Sequence, residues 1–112
     1  MKYSITEKKL FNVIDNIMRG QFGDYTITTD ENNVNEFFAD HGFYSDREFP
    51  AFTVIDETLN VNSTGLIGFI NDIIELTSLD ILKFYFSKIF DRPINNIRSV
   101  MGQNFIGTSN WS

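Results

Sequence analysis

Few side chains in this sequence are equipped for chemistry. It has one imidazole, His41, in Asp40-His41-Gly42 with Asp46 close behind, and it has no cysteine. A histidine among carboxylates can serve as a general base or hold a metal, so a small hydrolase or lyase using His41 is one function class to carry. The plainer reading of the same residues is a loop histidine near the end of a short helix. Without cysteine there is no thiol nucleophile, disulfide or thiolate metal site, and one histidine cannot build a Cys/His zinc cage. The sequence holds no Gly-x-Gly-x-x-Gly, P-loop, Gly-x-Ser-x-Gly or His-Glu-x-x-His, and so calls for no cofactor and no metal. Asp30 to Glu36 is spaced superficially like a calcium loop, but Val34 occupies a ligand position and the glycine of position six is missing. The fifteen acidic side chains show no spacing that singles out a catalytic pair. No catalytic residue is assigned.

Charge patterning says more. The net charge of −6 is unevenly spread: residues 1–23 carry +2, residues 24–80 carry −11 and residues 81–112 carry +3. An acidic centre of that size is either a solvated surface or a field aimed at a basic partner. Twelve Phe, four Tyr and one Trp are more than a 112-residue core easily hides, so some are expected in an exposed patch that marks an interface, with a partner protein or a second copy. The candidate sources are Phe43, Tyr44, Phe49 and Phe52 around a loop, or the far face of Phe84-Tyr85-Phe86. Phe43, Tyr44, Asp46, Glu48 and Phe49 combine aromatic and acidic character in that one loop and form the candidate partner-binding set.

The basic C-terminal end offers an alternative. Residues 79–102 have the layout of a helix-turn-helix, with Lys88, Arg92, Asn95, Asn96 and Arg98 as phosphate and base-edge ligands of a DNA-binding regulator. Asp91 in the turn, the missing turn glycine and the overall negative charge argue against nucleic acid, because phosphate contacts supply most of the affinity for DNA.

The elements that must position these residues follow from periodicity. Ser4-x-x-Glu7 reads as a capping box. Leu10, Phe11, Ile14, Ile17 and Met18 then make one helical face, predicting a helix over 5–19 with Gly20 as its C-cap. Residues 25–29 (Tyr-Thr-Ile-Thr-Thr) read as a strand, 33–40 as a short helix carrying Phe37 and Phe38, and 41–50 as a loop. Residues 52–55 and 59–61 read as two further strands around an Asp56-Glu57-Thr58 turn. Asn62-Ser63-Thr64-Gly65 opens a helix bearing Leu66, Phe69, Ile70, Ile73, Ile74 and Leu76, with a break at Thr77-Ser78. Leu79 to Phe90 is a helix apolar almost all round, and so buried on several sides or facing a partner. Pro93 opens a last short helix ending at Gly102, and residues 103–112 read as a mobile tail or an edge strand.

The order predicts a single α+β domain over residues 1–112, with a small antiparallel sheet of about three strands packed against four to five helices. The stretch from Leu66 to Phe90 is interrupted by charge and is not a membrane span. The N-terminal residues lack an apolar run after their charge, so a cytoplasmic protein is expected. Ile5-Thr6-Glu7-Lys8-Lys9-Leu10, opening a short acidic chain poor in alanine, resembles the N-terminus of small uncharacterised tailed-bacteriophage proteins. The resemblance covers one helix and carries over no site residues. It implies a phage-encoded accessory protein, located in the host cytoplasm or in the virion. The leading expectation is a non-enzymatic acidic interaction module that binds a host or virion protein, as a virion component, an inhibitor of host defence or a regulator.

Overall fold

The computed structural model describes residues 5–40 and 49–99. Three helices, α1 (Ile5–Phe22), α2 (Gly65–Leu76) and α3 (Leu79–Phe90), cover one face of a five-stranded sheet built from β1 (Thr26–Thr29), β2 (Asn35–Phe38), β3 (Phe52–Ile55), β4 (Thr58–Val61) and β5 (Asn96–Ser99). The strands lie in chain order. The first four form an antiparallel meander, and β5 pairs with β4 in parallel. A parallel neighbour needs a long crossover, which the α2–α3 pair supplies. The chain is therefore an α+β domain as expected, but its sheet is mixed rather than antiparallel, with five strands and three helices among the described residues.

Two elements depart from expectation. Residues 35–38 are strand β2, not part of a helix: Asn35 and Phe37 point into the core while Glu36 and Phe38 face the other side. Residues 96–99 are strand β5, not the second half of a helix-turn-helix: Ile97 and Ser99 are buried, and Ile94 enters the core just ahead of them. The spacing of Ile94 and Ile97 mimics a helix, yet pairing against β4 decides the conformation. Helix α1 also runs past Gly20, which is exposed and would have open space around an added Cβ. It ends instead at Gly23, whose φ of 71° suits glycine and whose N–H donates to the Arg19 carbonyl at 2.9 Å. His41 and the expected loop over 41–48, Ser4 of the capping box and the tail over 103–112 lie outside the described residues.

The register explains the core. Ile27, Phe37, Phe52, Val61 and Ser99 lie in one row across the sheet, and Thr29, Asn35, Val54, Leu59 and Ile97 in the next; both rows face the helices. Helix α3 sits between α1 and α2. That position accounts for its nearly all-round apolarity, with Ile81, Leu82, Tyr85, Phe86 and Phe90 buried. Its start is set by Ser78, whose side chain accepts from the Ile81 N–H at 3.0 Å. Phe37 touches the rings of Phe22, Tyr25, Phe52 and Phe90. The knot packs among the buried aliphatic side chains of helices and sheet, and burial of this joint core stabilises the fold.

Of the aromatic residues expected in an exposed patch, Phe43 and Tyr44 lie outside the described residues and Phe84 is half-buried. Phe52, Tyr85 and Phe86 are fully buried, and Phe49 is the exposed phenylalanine among the described residues, at 70%. Leu76, expected on the apolar face of α2, stands 60% exposed at its end.

Candidate functional site

The strand directions sort the loops to two ends of the sheet. The connection from β2 to β3 lies at one end. At the other end meet the β1–β2 turn, the β3–β4 turn and the chain leaving α3. This second end holds an open cleft of about 630 Å³ lined by Thr29, Asn33, Asn35, Asp56, Glu57, Phe90, Asp91, Arg92 and Pro93.

Each wall of the cleft is built locally. In the β1–β2 turn, Oδ1 of Asp30 accepts the N–H groups of Asn32 (2.8 Å) and Val34 (2.9 Å), an Asx-type turn that brings Asn33 into the left-handed region. In the β3–β4 hairpin, Ile55 pairs with Thr58, leaving Asp56-Glu57 as a two-residue turn with Asp56 left-handed. Helix α3 ends at Asp91, also left-handed, with its N–H and that of Arg92 returning to the Ser87 carbonyl. Ser87 then accepts the Ile94 N–H at 3.1 Å and so aims the outgoing chain along the sheet. The Glu57 carbonyl accepts from the N–H groups of both Asn95 (2.8 Å) and Asn96 (3.2 Å), and the Glu57 carboxylate accepts from the Asn95 side chain.

Every non-glycine residue with positive φ among those described, Asn33, Asp56 and Asp91, lines this cleft. Glycine adopts that conformation at the lowest steric cost, and Asn and Asp tolerate it. Two of the three positions carry Asp, which places a carboxylate where backbone geometry alone asks for none. Asp91 is doubly out of place, because it also stands at the C-terminus of α3, where the helix dipole disfavours negative charge. Residues held against local preference cluster at functional sites more often than elsewhere.

Among the described residues that line the cleft there is one cation, Arg92. Arg92 Nη1 donates to the Asn33 carbonyl at 2.7 Å and to Asn35 Oδ1 at 3.0 Å. Asn35 is only 6% exposed, and its amide nitrogen donates to Thr29 Oγ1 at 2.7 Å. The clamp ties the exit of α3 to the β1–β2 hairpin across the sheet. Counting the flanking Asp30 and Glu31, the described residues at this end carry five carboxylates against one guanidinium, a net of −4. The fold thus concentrates part of the acidic centre at one pole and adds Asp91 from the segment that reads as basic in the sequence.

The residues expected to bind partners fare differently. Phe43, Tyr44, Asp46 and Glu48 lie outside the described residues, and Phe49 sits at the opposite end of the sheet from the cleft. The five residues of the nucleic-acid alternative do not converge. Lys88 is exposed on α3, its ammonium 5.6 Å from the Phe84 ring centroid. Arg92 and Asn95 belong to the cleft end. Asn96 and Arg98 point to the sheet face away from the helices. On that face, Thr28, Glu36, Thr53, Asn60 and Arg98 form a polar row across all five strands. Among the described residues, no group of three or more His, Asp or Glu is placed to hold a metal, and no helix is long and apolar enough to cross a membrane.

A second polar cluster lies between α1, α3 and β1. The Tyr85 hydroxyl donates to Asp15 Oδ1 at 3.0 Å and lies 3.4 Å from the Tyr25 hydroxyl, while Arg19 Nε donates to Asp15 Oδ2 at 3.1 Å. Burial, reinforced by Tyr25 and Asp15, raises the Tyr85 phenol well above its ordinary range. These groups satisfy one another, which marks the cluster as structural. No family model, curated protein or solved structure matches the chain.

Proposed function

We propose that the chain is a non-enzymatic protein-interaction module whose acidic pole docks a basic segment of a partner protein. The observation that carries this reading is the assembly of Asp56, Glu57 and Asp91 around one cleft by three separate turns, two of them with Asp in a conformation that favours glycine. Convergent like charges raise the local potential, favour encounter with a cationic segment and lower folding stability. Asp56 and Asp91 add charge that their turns do not require, whereas Glu57 also holds Asn95 through its carboxylate. The expected class of function is retained, and the binding surface is moved from the Phe43–Phe49 loop to the cleft.

The test is fluorescence-anisotropy titration of a labelled Lys-rich peptide against the chain and against the triple variant Asp56→Asn/Glu57→Gln/Asp91→Asn. The substitutions keep the left-handed tolerance of Asn and an acceptor for Asn95 while removing three charges. At roughly 0.5 kcal/mol per exposed charge the variant should bind about tenfold more weakly. The wild-type affinity should fall as salt rises through the range where the Debye length shrinks to ~8 Å and below. A Glu-rich peptide should not bind. Equal affinity of variant and wild type for the Lys-rich peptide would refute the reading.

A further inference from the structure

Arg92 is arranged unlike an ordinary surface arginine. Both hydrogens of Nη1 are engaged by neutral oxygens, the Asn33 carbonyl and Asn35 Oδ1. The second of these is locked in place by the bond from Asn35 to Thr29. No carboxylate of the described residues lies within 4.0 Å of the guanidinium, although Asp56, Glu57 and Asp91 line the same cleft; the ion pairs among the described residues are those of Arg19. With Nη1 occupied, the edge formed by Nε–H and Nη2–H is unpartnered among the described residues. That edge receives the two oxygens of a carboxylate or phosphate in parallel. The clamp therefore does more than tie two loops together. It fixes the plane of a guanidinium and leaves its bidentate edge free, which removes most of the ordering cost of using it.

A cation and three anions held apart in one cleft complement a ligand that itself carries opposite charges side by side. We infer that the cleft reads a carboxylate next to a Lys or Arg on the docking segment, with the carboxylate on the free edge of Arg92 and the cation among Asp56, Glu57 and Asp91. This rests on the proposed docking of a basic segment. A carboxylate is favoured over a phosphate because the cleft lining is net negative and repels a dianion more than a monoanion accompanied by its own cation. The carboxylate could be a chain terminus or a Glu or Asp side chain, since both present the same two oxygens.

Four labelled peptides of one Gly/Ser/Lys background distinguish these cases: a Lys-Lys end with a free terminal carboxylate, the same end amidated, an amidated end with Glu beside the last Lys, and an amidated end with phosphoserine there. The free-carboxylate peptide, the Glu peptide or both should bind about tenfold more tightly than the plain amide, and whichever does so identifies the source. That advantage should vanish in Arg92→Gln. It should shrink severalfold in Asn35→Asp, which keeps an acceptor for Arg92 and lets the Thr29 hydroxyl donate, but neutralises the guanidinium from within. Circular dichroism reports folding, and Asn35→Asp carries the test if Arg92→Gln does not fold. Equal binding of the plain amide and both carboxylate peptides overturns the Arg92 inference and leaves basic docking standing. Failure of all four peptides to bind overturns the docking reading itself. Tightest binding of the phosphoserine peptide overturns the choice of anion.

Discussion

Asp91→Asn should make the protein more stable. Asp91 is exposed, left-handed and at the C-terminus of α3. Its carboxylate makes no hydrogen bond or ion pair among the described residues, since the bonds at this cap come from backbone N–H groups. Asn keeps the left-handed conformation as well as Asp or better, so backbone cost should not rise. Removing a negative charge from the last turn relieves an unfavourable dipole interaction of about 0.3–1 kcal/mol. Relief of repulsion from Asp56 and Glu57 across the cleft adds a few tenths of a kcal/mol at low salt. The expected gain is about 0.5–1.2 kcal/mol, which for a domain of this size raises Tm by roughly 2–6 °C. Thermal and urea unfolding followed by circular dichroism measure it, and the gain should shrink at high salt. A gain in stability paired with weaker binding of a Lys-rich peptide is the signature of a charge kept for recognition. A loss of stability would refute the reasoning, because it would mean that the carboxylate holds the fold together.

The remaining predictions concern the frame around the cleft. Asn35→Leu removes the acceptor for Arg92 and the donor to Thr29 at a site that is 6% exposed, and should cost about 1–3 kcal/mol by urea unfolding, whereas Asn35→Asp should stay within about 1 kcal/mol of wild type. Phe37→Ala empties the centre of the aromatic knot and should cost about 3–5 kcal/mol, a large part of the stability of a domain this small. Tyr85→Phe should cost about 1–2 kcal/mol at neutral pH, since the Asp15 partner is 30% exposed and water replaces part of the lost bond. The raised phenol also sets a pH dependence. Tyr85 stays protonated in the fold while the unfolded chain ionises near pH 10, so stability is whole below about pH 10 and falls above it, by up to about 1.4 kcal/mol per pH unit. Urea midpoints measured between neutral pH and pH 11 should show this fall in wild type and a shallower one in Tyr85→Phe.

Much of the frame was legible in the sequence because its signals are local. Helix α3 runs from Leu79 to Phe90, as the break at Thr77-Ser78 and the apolar run predict. Strands β1 and β3 follow from alternating β-branched residues. The two missed strands each lack a local signature. In β2 the alternation is disguised because one of its two buried positions is Asn35, a polar residue whose partners, Thr29 and Arg92, are set only by the fold. In β5 the pairing partner β4 lies on the far side of two helices, and Ile94 and Ile97 by themselves suit a helix as well as a strand. The cleft was not legible at all as a site, since its walls come from three turns distant in the chain. One signal was present: an Asp directly after the last apolar residue of a helix, where the dipole resists negative charge. Asp91 read only as an argument against DNA binding, when it also marked the cleft.

The central claim concerns location, and backbone chemical-shift mapping tests it most directly. The isotope-labelled chain, titrated with an unlabelled Lys-rich peptide at low salt, should show its largest amide shifts at residues 30–35, 56–58 and 91–96, where the three turns meet. Shifts confined to residues 49–52 at the other end of the sheet, or to the polar row from Thr28 to Arg98, would contradict it.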